Sequence, residues 1–186
     1  TFTFIQLYCN CMMKQNISLQ EMRDTLVYEK SIYHINIKRI CWCLLTHHSE
    51  YRIWRWLKNS RKCDYYSQFY RNGIIGKLKA LYYIRKRNKL AAKLGFDIDT
   101  HNIGKGLLIY HPGTIVINGG AVIGENCILH GNNCIGNKGP AGSPCPIIGN
   151  NVEIGVGASV IGGVKIADNI KIGAGSIVVD SFDVEG

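Results

Sequence analysis

A chemical reading of this 186-residue chain turns on His111. It stands in "GLLIYHPGTIVING" (106–119), before a Pro-Gly pair and inside an otherwise regular apolar pattern. Two readings are open. A histidine before Pro-Gly is commonly a turn residue. A neutral imidazole held in one place is also well suited to take a proton near neutral pH. The other candidates are weaker. His101 lies where the pattern begins and is expected to be solvated. His130 directly follows a leucine of the pattern. Cys9/Cys11 and Cys41/Cys43 are C-x-C pairs, and Cys63, Cys127, Cys134 and Cys145 stand alone. None has zinc spacing, and His101, His111 and His130 are not spaced as a three-histidine metal site. The cysteines read as small buried hydrophobes, and no metal is expected.

The element that would position His111 is a repeat of six residues. Ile103, Ile109 and Ile115 are in one phase; so are Ile117, Ile123, Leu129 and Ile135; so are Ile148, Ile154, Val160, Ile166, Ile172 and Val178. Small residues often follow, as at Gly104, Gly124 and Gly155. Six is neither a helical nor a strand period, so the pattern is an internal repeat. It predicts short strands, each sending one aliphatic side chain inward, with tight turns and three strands to a coil. Coils stacked in parallel would align like residues in columns. The phase slips twice. Ile115 and Ile117 are two apart, just after "YHPGT", and "GNKGPAGSPCPI" separates Ile135 from Ile148. The second reads as a loop extruded from the coil.

Residues 1–96 read as helical. Ser18 and Glu21 form a capping box with Ile17 and Met22 as its staple, and Leu19, Met22 and Leu26 continue one face. An apolar run follows through Ile37, Ile40, Leu44 and Leu45. Ser49 is placed to cap a helix carrying Ile53, Trp56 and Leu57. A longer helix is expected over 74–94 with Leu78, Leu81, Leu90 and Leu94 inward, stopped by Gly95. Met12 or Met13 reads as a better start than Thr1, so residues 1–11 are expected to be extraneous. Charge is uneven: residues 52–96 hold 13 Lys/Arg against one Asp/Glu, a net +12, and residues 97–186 hold 4 against 8, a net −4. A solvated helix face is the favoured reading of the basic segment. Attraction for an anionic donor or glycan comes second, and nucleic-acid or membrane-surface binding third. No nucleic-acid partner and no transmembrane segment is expected, and "TFTFIQLYCNC" is a poor leader, so a cytoplasmic location follows.

The repeat, the helical first half and "DIDTHNIGKGLLIYHPGTIVINGGAVIG" resemble the serine O-acetyltransferase branch of the hexapeptide-repeat acyltransferases. The likeness is close over about 95–180; His111 lies twelve residues before Ile123 and twenty-four before Ile135, as in that family. The resemblance implies a left-handed parallel β-helix over 97–186, a homotrimer with active sites between neighbouring coils, and acetyl-CoA as donor. It implies that His111 is the catalytic base and that Asp97, or else Asp99, orients it. It places coenzyme A contacts at Gly136, Asn137, Gly155, Val156, Gly173 and Ala174. It also implies a further C-terminal segment closing over coenzyme A. Two positions depart from the serine-specific pattern: Tyr110 stands where those members have aspartate, and Cys145 where they have a second histidine. Both positions, with His130, are expected on the acceptor side.

The expected function is O-acetyl transfer to a hydroxyl of serine or a related small acceptor. The alternatives are transfer to a sugar or surface-polysaccharide hydroxyl, and a non-catalytic trimeric scaffold. Cys145 reads as a loop filler, and Lys138 as a solvated loop lysine.

Overall fold

The structure, a computed structural model, describes residues 17–69, 73–140 and 142–182. The Cys9/Cys11 pair and the expected start at Met12 or Met13 lie outside the described residues.

Helices α1 (Leu19–Ile32), α2 (Ile37–Leu45), α3 (Glu50–Ser67) and α4 (Ile74–Leu94) form the first part. The capping box is present: Ser18 Oγ accepts from the Glu21 N–H at 3.0 Å, and the Ser18 N–H donates to Glu21 Oε2 at 3.4 Å. Met22 is buried, but Leu19 is exposed, because the inward side of α1 turns onto Glu29. Ser49 stands at the capping position just before α3, yet its hydroxyl makes no capping bond; its backbone is already helical. Ile53, Trp56 and Leu57 are buried as expected, with Trp56 edge-on to Phe96 at 5.0 Å. In α4 the expectation fails in part. Leu94 is buried and Leu90 half-buried, but Leu78 and Leu81 face out. The inward side is Ala80, Arg87 and Leu94, and the small Ala80 lets α4 lie close to α3.

Gly95 ends α4 in the left-handed region at φ +78. A Cβ there would stand 2.7 Å from the Gly113 carbonyl oxygen, so only glycine fits.

Among the described residues twelve short strands follow, in three sheets. The first sheet holds β1 (Phe96–Ile98), β3 (Ile115–Ile117), β6 (Cys134–Gly136), β9 (Ser159–Ile161) and β12 (Ile177–Val178). The second holds β4 (Val122–Ile123), β7 (Ile147–Ile148) and β10 (Lys165–Ile166). The third holds β2 (Leu108–Ile109), β5 (Ile128–Leu129), β8 (Glu153–Ile154) and β11 (Lys171–Ile172). Every pairing is parallel, and from β2 onward the chain visits third, first and second sheet in turn. Register stacks Ile98, Ile117, Ile135, Val160 and Val178 in one column, and Ile109, Leu129, Ile154 and Ile172 in another. All the repeat aliphatics are buried, so the six-residue phase is a core made of columns.

Both phase slips fall at corners. From Ile109 to Ile117 the chain takes eight residues, against six from Leu129 to Ile135, and the enlarged corner carries His111. It lies on the edge between third and first sheets, called here the histidine edge. From Ile135 to Ile148 it takes thirteen, on the edge between first and second sheets, called the loop edge.

Buried polar groups lock the helices to the first coil. Arg61 donates to Glu29 Oε1 through Nε and Nη2 (3.0 and 2.8 Å) and to the carbonyls of Ile103 and Gly104 (2.7 and 2.6 Å). Thr100 Oγ1 donates to Asp64 Oδ2 at 2.8 Å. Burial first, against the charge of Arg61 and the Thr100 bond, pushes the Asp64 carboxyl up to about 6. The Tyr33 hydroxyl donates to the Leu107 carbonyl (3.3 Å) and accepts from the Ile109 N–H (2.9 Å), two residues before His111.

Candidate functional site

The end of α4 holds the His111 corner. The Gly113 N–H donates to the Leu94 carbonyl at 3.0 Å, and the Ile115 N–H to that of Gly95 at 3.1 Å. One coil below, Gly131 has φ +117, and a Cβ there would lie 3.3 Å from His111 Cβ. The imidazole of His111 is exposed and has no hydrogen bond among the described residues.

Its neighbours are aromatic and basic. The Tyr110 ring lies 6.4 Å from that of His111 and 4.9 Å from that of His130. His130 Nε2 meets Glu153 Oε1 at 2.8 Å, and Lys171 Nζ meets Glu153 Oε2 at 3.2 Å. The His130 bond and then that of Lys171 hold the Glu153 carboxyl below its ordinary range. The backbone ladder places Tyr110, His130, Gly155 and Gly173 one beneath another. The next positions are His111, Gly131, Val156 and Ala174. The histidine edge is therefore a step of rings over a narrow strip of small residues.

The loop edge is different. Asn118 Nδ2 donates to Asn137 Oδ1 at 3.1 Å, and Asn137 Nδ2 donates to the carbonyls of Gly139 and Pro140 (2.8 and 3.0 Å), which fastens the extruded loop. Cys145 is half-buried; among the described residues its thiol reaches Asn118 Oδ1 at 3.5 Å and bonds no imidazole or carboxylate, the surroundings of a filler rather than a nucleophile. Beside this edge, Asp97, Asp99, Asn118 and Asn137 border a cleft of about 420 Å³ on the first sheet.

The six positions expected to meet coenzyme A thus divide. Gly155, Val156, Gly173 and Ala174 follow strands of the third sheet on the histidine edge, whereas Gly136 and Asn137 stand on the loop edge, across the first sheet. Asp97 faces outward from β1, in register with Val116, and no hydrogen bond joins it to His111. Asp99, the alternative, is engaged elsewhere, with Oδ1 2.7 Å from His101 Nδ1. Burial works against its charge, but the bond and charge of His101, with Arg87, hold the carboxyl below its usual value. This corrects the expectation for His101: its side chain is nearly buried rather than solvated, because the entry to the coil lies under α3 and α4. Sequence reasoning also missed Glu153 and Lys171. One signal was available: Lys171 follows Glu153 by eighteen residues, three repeats, so it lies directly beneath. Among the described residues, no three His, Cys, Asp or Glu side chains are grouped to hold a metal ion.

No protein-family profile matches the chain. The chain is similar to the protein named "Putative colanic acid biosynthesis acetyltransferase WcaB" of Escherichia coli (strain K12): 38% identity over 88 residues, 47% of this chain and 54% of that protein. It is also similar to the chloroplastic serine acetyltransferase 1 of Arabidopsis thaliana, 42% identical over 73 residues, 37% of this chain and 23% of that one. The chain thus spans about half the length of WcaB and less of the plant enzyme. Among solved structures, Neisseria gonorrhoeae serine acetyltransferase in complex with serine covers 91% of this chain and 66% of its own, with TM-score 0.59 and 27% identity. Soybean serine acetyltransferase complexed with serine gives 0.62 and 25%, covering 86% and 63%. These relatives are acyltransferases, and the resemblance to the serine O-acetyltransferase-like branch holds in sequence and in fold.

Proposed function

We propose that this protein is an acetyl-CoA-dependent O-acetyltransferase, its three-sheet coil (97–186) a left-handed parallel β-helix preceded by a helical part. The observation that carries the reading is the single enlarged corner on the histidine edge. A regular coil is broken by two residues there, and the break lifts an unbonded imidazole over a strip of glycine, alanine and valine. Neutral His111 takes the proton of the acceptor hydroxyl as its oxygen bonds to the acetyl carbon. The carbon–sulfur bond breaks, and the imidazolium returns the proton to the departing thiolate. The small residues of two lower coils suit the narrow pantetheine arm of the donor. At Gly157 and Gly175 the space where a Cβ would stand is open. Asp97 is the candidate orienting carboxylate: it borders the strand that leads from His111, and its side chain has no hydrogen bond or ion pair among the described residues.

The division of donor positions between two edges favours a homotrimer, in which the histidine edge of one copy faces the loop edge of the next. A single copy keeps them on opposite sides of the first sheet.

Tyr110 and His130 form the acceptor side. The amine of serine calls for a carboxylate, but Glu153 is already bonded to His130 and Lys171. An exposed phenol ring packed on an imidazole suits the face of a sugar better. A sugar hydroxyl is therefore the favoured acceptor and serine the second. Release of coenzyme A from acetyl-CoA, followed with L-serine and with a set of oligosaccharides, tests this. Release with sugars and not serine is expected. Serine as the better acceptor overturns the acceptor assignment, and no acceptor-dependent release overturns the function.

A further inference from the structure

The outer side of α4 is the least expected surface of the molecule. At helical spacing it presents Ile74, Ile75, Leu78, Leu81 and Tyr82, which are 74, 66, 62, 40 and 53% exposed. One turn further on it presents Arg85, Lys86, Lys89 and Lys93, all exposed. The helix contains no acidic residue. Its outer side is thus apolar in the first half and cationic in the second.

The cationic field continues onto α3. Lys58 stands over the Trp54 ring at 4.9 Å, and Lys62 reaches across to Tyr83 at 5.4 Å. From α4, Lys79 lies over Tyr66 at 5.6 Å and Lys86 over Tyr82 at 4.7 Å. None of these four lysines forms a salt bridge among the described residues. Burial first, then repulsion from Lys62, Lys30, Arg55 and Lys86, holds the Lys58 amine below its usual value, so cations of three helices converge here. Asp64, the one carboxylate of residues 52–96, is buried against Thr100.

Exposed large apolar side chains beside unneutralised cations suit a layer where hydrocarbon meets negative charge. A second copy docked face to face would bring the same cations onto one another. We infer that the outer side of α4, with the adjoining basic face of α3, docks this protein on an anionic lipid bilayer. Ile74, Ile75, Leu78, Leu81 and Tyr82 enter the boundary of headgroup and acyl chain. Arg85, Lys86, Lys89 and Lys93 meet the lipid phosphates. Among the described residues no helix is long and apolar enough to cross a membrane, so the attachment is peripheral. The strand part, with its net −4, is held away from the surface. This inference does not depend on the proposed acetyl transfer.

The test is co-sedimentation of the full chain with vesicles of equimolar phosphatidylcholine and phosphatidylglycerol, beside vesicles of phosphatidylcholine alone. Binding to the first and not the second is expected, weakening as salt is raised. Each of R85Q, K86Q, K89Q and K93Q should lower vesicle affinity by about fivefold. The double variant I75E/L78E should abolish binding with unchanged circular dichroism, since both side chains are exposed. Soluble glycerol phosphate should not displace the protein. Four results overturn the inference: equal binding to neutral vesicles, full binding by I75E/L78E, displacement by glycerol phosphate, or a fall in sedimentation mass of I75E/L78E without vesicles, which would mark the face as a contact between copies.

Discussion

The first coil and the coils beneath it are built from one repeat but differ in what surrounds them. The first coil is clamped from outside: Arg61 holds the carbonyls of Ile103 and Gly104, Thr100 holds Asp64, and the Tyr33 hydroxyl bonds on both sides of Leu108. It also carries the bulky outward residues, Tyr110 and His111. The lower coils are held chiefly by their own columns and ladders, and below His130 the histidine edge carries only glycine, valine and alanine. Rigid presentation of one imidazole needs support from outside the repeat, because the repeat fixes the inward residues and leaves the corner free to vary. A donor strip needs the reverse, bare backbone without extra side chains.

Breaking the clamp should cost most. Arg61→Ala leaves Glu29 charged and buried, and should destabilise the protein by about 3–5 kcal/mol, read in chemical denaturation. If the loss is under about 1 kcal/mol, the clamp is not structural. Tyr33→Phe should cost about 1–3 kcal/mol, since it strands the buried Ile109 N–H, and it should lower turnover along with stability. Unchanged turnover in a destabilised Tyr33→Phe protein would separate the clamp from the His111 corner.

The lower coils are probed by filling the strip. Gly173 has only Ser176 Oγ near the position of an added Cβ, at 3.4 Å, so a larger residue fits without disturbing the core. Gly173→Trp should raise the KM for acetyl-CoA about tenfold, equivalent to about 1.4 kcal/mol, with stability nearly unchanged. A rise in acceptor KM instead would assign the strip to the wrong substrate.

The smallest expected effect concerns Asp64. Burial pushes its folded carboxyl up to about 6, above the ordinary aspartate value of 3.8. A raised folded pKa means that stability is fully present below the unfolded value and falls as pH rises towards the folded one. Asp64→Asn, which keeps an acceptor for Thr100, should therefore gain stability over wild type above pH 6 and lose that advantage below about pH 4. Thermal unfolding across that range checks it; an advantage that grows in acid contradicts the sign.

Much of the coil was legible in the sequence, because a column core demands an aliphatic residue at every sixth place and tolerates little else. Both corners that break phase were visible for the same reason. The surroundings of His101 were not, since burial of a polar residue at an entry depends on how α3 and α4 cover it. Leu78 and Leu81 misled because helical spacing identifies a face without saying whether the fold or a partner covers it. The bond from His130 to Glu153 spans a coil that includes the extruded loop, so its separation of 23 residues matches no multiple of six.

The central claim is that His111 is the base, and His111→Ala tests it most directly. Acceptor-dependent release of coenzyme A should fall by about 10²–10⁴ while the unfolding transition stays in place, because the side chain is exposed and has no hydrogen bond among the described residues. A folded His111→Ala protein that releases coenzyme A at a near-normal rate would contradict the account.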